Sequence, residues 1–208
     1  MRSDKLDKII IQSVLSTLCA ILTLCGIAFT VANLLFPAVL IKVSYDLGND
    51  VGAMGYAERA YKNTGNVYYI AYATEVAIGL DEYSDVERYA EEFISNGDAF
   101  LEYCKGEDEL AGLGEGAYRQ RVFGQLVLAE YYQGKTEEAY EHAVQSLDGG
   151  FPRNNAYVAL FIGAMQKWDK PLVDKLVNEM KEMTPNKEDD ATYLSEILGA
   201  YEKLLQTP

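Results

Sequence analysis

Histidine occurs once in the 208 residues, at His142, and cysteine three times, at Cys19, Cys25 and Cys104. A zinc site needs three or four clustered His, Cys or carboxylate ligands, and no such spacing exists. One free Cys far from a base is not a nucleophile by default, so His142 is expected to be structural or exposed. Cys19 and Cys25 lie in an apolar stretch, which leaves no disulfide framework. The chain also lacks G-x-x-x-x-G-K-[ST], and Gly112-Leu113-Gly114 is no dinucleotide loop, since it stands in an acidic stretch without a preceding strand. Glu107-Asp108-Glu109 lacks the alternating spacing of a calcium loop and is expected to be a solvated charge run. Glu91-Glu92 and Glu137-Glu138 are expected on helix surfaces. No catalytic, metal or cofactor residue is nominated, and an enzyme is not expected. No Asn-x-Ser/Thr sequon occurs, so glycosylation says nothing about topology.

Basic residues are scarce as well, 18 against 32 acidic. Up to Lys8 the chain has Arg2, Lys5 and Lys8 against Asp4 and Asp7, a balance of +1; the remainder has 15 against 30, or −15. So acidic a domain repels nucleic-acid phosphates, and no nucleic-acid partner is expected.

What the chain does have is a long hydrophobic run. No charge occurs from Ile9 to Ile41, 33 residues or about 50 Å of helix. The sequence predicts a cytoplasmic N-terminus at 1–8, a transmembrane anchor at 9–36 and an α-helical domain at 37–208. Ile9 to Phe29 is the natural span, with Thr30 to Ile41 at or beyond the far interface. Basic residues precede the run, so the expected topology is a single pass in the cell membrane with the acidic domain outside. A cleaved signal peptide is the competing reading. Its apolar region is usually shorter, and Thr30-Val31-Ala32 is the one passable cleavage site. Ser13, Ser16, Ala20, Thr23, Ile27 and Thr30 share one face, which suits a transmembrane helix–helix contact; alternatively the hydroxyls bond back to their own helix.

Beyond the run, apolar residues recur at helical spacing. The expected helices are Pro37 to Gly48, Asp50 (as N-cap) to Gly65, Tyr68 to Leu80, and one capped by Ser84 with Val86, Tyr89, Ala90 and Phe93 buried. Asn96-Gly97 is a stop, Asp98 to Tyr103 an extra turn, and Lys105 to Gly116 a surface loop. Tyr118 to Gln133 and Thr136 to Leu147 follow, ended by Gly149-Gly150; then come Asn155–Gln166, Lys170–Met183 and Ala191–Leu205. The last is capped by Asp189 or Asp190 and striped by Tyr193, Ile197, Tyr201 and Leu204.

One stretch, Ala129 to Leu147 (AEYYQGKTEEAYEHAVQSL), has Ala129 near the end of one helix, a turn at Gln133-Gly134-Lys135, and Ala139, Ala143 and Leu147 on the next. It resembles a tetratricopeptide repeat, whose unit recurs about every 34 residues. Adding 34 to Ala139 and Ala129 reaches Val173 and Gly163, with Pro185 at the helix-ending position, although Trp168-Asp169 replaces the usual Gly turn. Val86 to Ala139 is 53 residues and breaks the register. The resemblance implies an all-α solenoid of hairpins that binds a protein or peptide, basic or neutral to suit the acidic surface. An unrelated helical bundle has the same periodicity. Two functions fit: an interaction module on the outer face of a bacterial-type membrane, or an accessory subunit held in a membrane complex through its transmembrane helix. The 16 tyrosines divide between core and groove in a way the sequence does not decide.

Overall fold

The structure, a computed structural model, describes residues 2–112, 116–147, 150–152 and 154–205, without side-chain placement at 2–10, 111 and 204. The protein is all-α; among the described residues there are helices and a single bridge, Phe151 to Pro185, but no strand. Leu113 to Glu115 of the expected loop, Gly149 of the expected stop, and the side chains of Leu204, Arg2, Lys5 and Lys8 lie outside the described residues.

Residues 1–65 form one compact unit. Its first helix, α1 (Arg2–Leu35), holds an apolar stretch from Ile11 to Leu35, long enough to cross a membrane. A signal sequence would pass the same length test. Pro37 ends α1 because the residue before a proline is driven out of the helical region; Phe36 sits at φ −132°, ψ 51°. Proline at the first helical position then opens α2 (Pro37–Asp46). α3 (Asp50–Thr64) is capped by Asn49, whose side chain accepts from the Gly52 N–H at 3.0 Å. That corrects the expected cap at Asp50, which is already helical. Ala53, Ala57 and Ala60 are fully buried, and Gly65 at φ 67° closes the helix.

Residues 66–208 form the second unit. Its helices are α4 (Val67–Gly79), α5 (Tyr83–Ser95), α6 (Asp98–Ala111), α7 (Ala117–Tyr132), α8 (Thr136–Ser146), α9 (Ala156–Gln166), α10 (Lys170–Glu182) and α11 (Glu188–Leu205). Three antiparallel hairpins, α4/α5, α7/α8 and α9/α10, pack in chain order, with α7 against both α5 and α9.

One turn recurs in both units. Three residues join the helices, the middle one left-handed: Gly48 (φ 69°), Asp81 (57°), Gly134 (85°) and Trp168 (54°). In each, the next amide reaches back five positions: Asn49 to Ser44 (2.8 Å), Glu82 to Ala77 (3.0 Å), Lys135 to Glu130 (2.9 Å) and Asp169 to Ala164 (3.0 Å). This is the Schellman arrangement that satisfies the carbonyls orphaned at a helix end. The turn centres are 33 (81 − 48), 53 (134 − 81) and 34 (168 − 134) positions apart. Val86, Ala139 and Val173 are each the fourth residue of the helix that follows, and all three are buried.

The long interval houses α6, the main departure from expectation. Lys105 to Ala111 continue the helix instead of looping out. Phe100, Cys104 and Asp108, four apart, form its buried face, and helical periodicity outweighs the Gly106 cost. Phe100 packs edge-on against Phe93 (5.1 Å) and Phe123 (6.2 Å), joining α5, α6 and α7. At the far end, α11 starts at Glu188, so Asp189 and Asp190 fill the first turn near the positive dipole end and do not cap it. Its buried positions are Asp190, Leu194 and Tyr201, with Tyr193 and Ile197 only half-buried.

Candidate functional site

Three polar and apolar constellations stand out in the second unit. The first is inside the stack. Glu130, one residue past the buried Ala129, is 1% exposed. Its Oε1 lies 2.7 Å from His142 Nδ1, while its Oε2 has no protein partner. Burial pushes the Glu130 carboxyl above its ordinary range, against the opposing effect of His142. The hydrogen bond to Glu130 raises His142 above the usual imidazole value, although burial opposes it. Glu87 of α5 receives Lys135 Nζ and, at 2.8 Å, Gln133 Nε2 from the α7/α8 turn. One carboxylate oxygen each of Glu87, Glu91 and Glu130 lie within 4.8 Å of one another. Lys135 and His142 already engage two of the three carboxylates, so the cluster reads as a polar clamp between successive hairpins.

Tyrosines make the next set of links. Tyr132 Oη donates to Gln166 (2.7 Å), Tyr131 Oη to Asp169 (3.2 Å), and both Tyr140 (2.9 Å) and Tyr157 to Glu179. Lys175 Nζ stands 3.3 Å from the Tyr140 ring centroid, and the ring's negative face attracts it. Beside it a groove of about 600 Å³ runs between the starts of α8 and α10, lined by Glu137, Tyr140, Asp169 and Lys175.

The third constellation is open and apolar. α11 touches α9 through Tyr201 and Phe161 (6.1 Å) but leaves a groove of about 470 Å³ between them. Phe161, Ile162, Met165, Ile197, Ala200 and Trp168 line it. Trp168 is 76% exposed in a left-handed conformation that costs a bulky residue energy. The final helix therefore covers the end of the stack only in part.

Glu91, Glu92, Glu137 and Glu138 are exposed, as expected of helix surface, and His142 is half-buried. Asp108 is not the solvated charge expected. It is 3% exposed, and its Oδ1 accepts the Tyr118 N–H at 2.6 Å. Gly116, at the N-cap of α7, has no side chain to do this, so α6 supplies the cap. Cys104 is buried too, which pushes its thiol up to about 12 and makes it a poor surface probe. On α1, Thr17, Thr23 and Thr30 donate to the carbonyls four residues back, at 2.8–2.9 Å. Sequence reading missed Glu130, Glu87 and Lys135. The available signal was a carboxylate next to a packing alanine, on the face that meets the one histidine.

Comparison with family models, curated proteins and solved structures finds no significant match.

Proposed function

We propose that this is a membrane-anchored, tetratricopeptide-like interaction module, not an enzyme, that presents an acidic hairpin stack to a basic or neutral protein or peptide. The carrying observation is the α9/α11 groove, where an exposed Trp168 stands in a strained turn beside an apolar trough. Strain kept at an exposed aromatic is better explained by recognition than by stability. The recurrent turn and the 34-residue register support the repeat assignment. The proposed topology is single-pass and uncleaved, with a cytoplasmic N-terminus and the acidic unit outside.

The test is crosslinking and capture from the native membrane with the intact protein and with Trp168→Gly. A partner lost from the variant supports the reading; the same partner retained by both refutes the groove as its site. If capture instead depends on the native anchor and is indifferent to the groove, the accessory-subunit reading replaces it. The hydroxyls of Thr23 and Thr30 are satisfied within α1, so an anchor contact would rest on close approach of small residues. Topology is tested with Val144→Cys, an exposed position, and a membrane-impermeant thiol reagent on intact cells. Labelling only after lysis would put the unit in the cytoplasm. A mature mass beginning near Asn33 would mean that the segment is cleaved.

A further inference from the structure

Every side chain from Ile11 to Val31 is exposed, and cover along α1 starts at Ala32 and Asn33. The charge-free run from Ile9 to Val31, 23 residues (31 − 9 + 1), makes about 35 Å of helix, already enough for the roughly 30 Å of bilayer hydrocarbon. The apolar stretch nevertheless runs on to Leu35. Two side chains of α3 stand level with the end of the bare region. The Tyr56 ring lies edge-on to Phe29, 6.4 Å between centroids, and the Arg59 guanidinium sits 4.5 Å from the Tyr56 centroid. Arginine is costly inside hydrocarbon, whereas Tyr and Arg settle at the membrane–water border.

Resting on the anchor reading above, we propose that the hydrocarbon border lies at Phe29 to Val31, set by Tyr56 and Arg59. The apolar surface beyond it (Leu34, Leu35, Phe36, Val39 and Val43) is then seated in the lipid headgroup layer. All five are exposed. They are continuous with the span, since Phe36 alone separates α1 from α2. Val39 and Val43, four apart, face away from the buried Ile41 and Ser44 of α2. Charge agrees. The α2/α3 hairpin carries Lys42, Arg59 and Lys62 against Asp46, Asp50 and Glu58, a balance of zero. Residues 66–208 carry 12 basic (18 − 6) against 27 acidic (32 − 5), or −15. This hairpin meets an anionic headgroup layer without the repulsion that the second unit would feel. A part-apolar helix of this kind sinks about 5–10 Å into the boundary between headgroups and chains.

The experiment uses the full chain in vesicles of phosphatidylcholine and phosphatidylglycerol, with Cys19→Ala and Cys25→Ala and the buried Cys104 retained. Single cysteines replacing Ile21, Phe29, Leu34, Val39 or Val144 carry a spin label, and accessibility to oxygen and to a water-soluble nickel chelate is read by electron paramagnetic resonance. Far-UV circular dichroism equal to the parent's admits each variant. Ile21 is expected to be oxygen-dominated, Phe29 at the crossover, Leu34 about 7.5 Å outside Phe29, Val39 intermediate, and Val144 nickel-dominated. Arg59→Leu is expected to draw Leu34 inward. Leu34 as deep as Ile21 overturns the border while leaving the anchor intact. Leu34 and Val39 as wet as Val144 overturn the headgroup seat, and shielding of both from either reagent means that protein covers them instead. An Arg59→Leu profile identical to the parent's overturns the role of Arg59. A water-like Ile21 sinks the anchor reading itself.

Discussion

Removing the Asp108 carboxylate tests the least expected feature of the fold, the capping of α7 by α6. In Asp108→Ala the Tyr118 amide loses its 2.6 Å acceptor inside a buried site. A hydrogen bond to a charged group contributes about 1.5–3 kcal/mol. Loss of an N-terminal cap costs about 1 kcal/mol and the dipole a few tenths more, but these describe the same contact and do not add. Opposing them, the substitution removes a buried Oδ2 that has no partner, which returns part of the desolvation cost. The net expectation is a loss of about 2 kcal/mol, or a melting temperature lower by roughly 4–8 °C for a unit of this size. Circular dichroism melts of the full chain in detergent measure it. Hydrogen exchange should quicken first at the start of α7. Glu109→Ala, at an exposed neighbour, should stay within about 0.5 kcal/mol. A variant melting with the parent, its α7 amides equally protected, would refute the cap.

Ala139→Leu should overfill the α7/α8 contact, where Ala139 is fully buried, and cost about 1–3 kcal/mol; an unchanged melt would place the residue elsewhere. Glu130 and His142 both have raised values when folded, so the folded state holds more protons than the unfolded chain. The His142 contribution is complete below about pH 6.5 and is lost as pH rises through its higher folded value, while ionisation of Glu130 above about pH 4.5 acts in the same direction. Stability should therefore fall from mildly acid to alkaline pH, and His142→Gln should flatten that fall; parallel curves for the two proteins would count against the clamp. Trp168→Gly should relieve a left-handed residue, raising stability by up to about 1 kcal/mol, while weakening partner capture. A lower melting temperature would mean that the tryptophan is there for packing.

Local signals in the chain determined most of the helices and several of their ends, although the expected caps Asp50, Ser84 and Asp189 or Asp190 already lie inside their helices. Apolar residues at helical spacing, Pro37 after a long apolar run and Gly48, Gly65 and Gly134 at left-handed positions act within one or two turns of the residues they control. The 34-residue register was legible for the same reason, since each hairpin repeats the same local problem. The turns at Asp81 and Trp168 have the same geometry without a glycine, and only the fold shows that they belong to the series. Tertiary structure alone decided which charges are interior. Asp108 looks like one of three solvated acids until α7 arrives without a side-chain cap, and Glu130 looks like helix surface until α8 brings His142 to it. α6 itself hinged on this distinction. Its acidic sequence carries Gly106 and runs into Gly112, Gly114 and Gly116, which hid the helix; Phe100 and Asp108 meet partners in α5 and α7, with Cys104 buried between them. Burial of a polar group depends on partners distant in the chain, which no local pattern encodes.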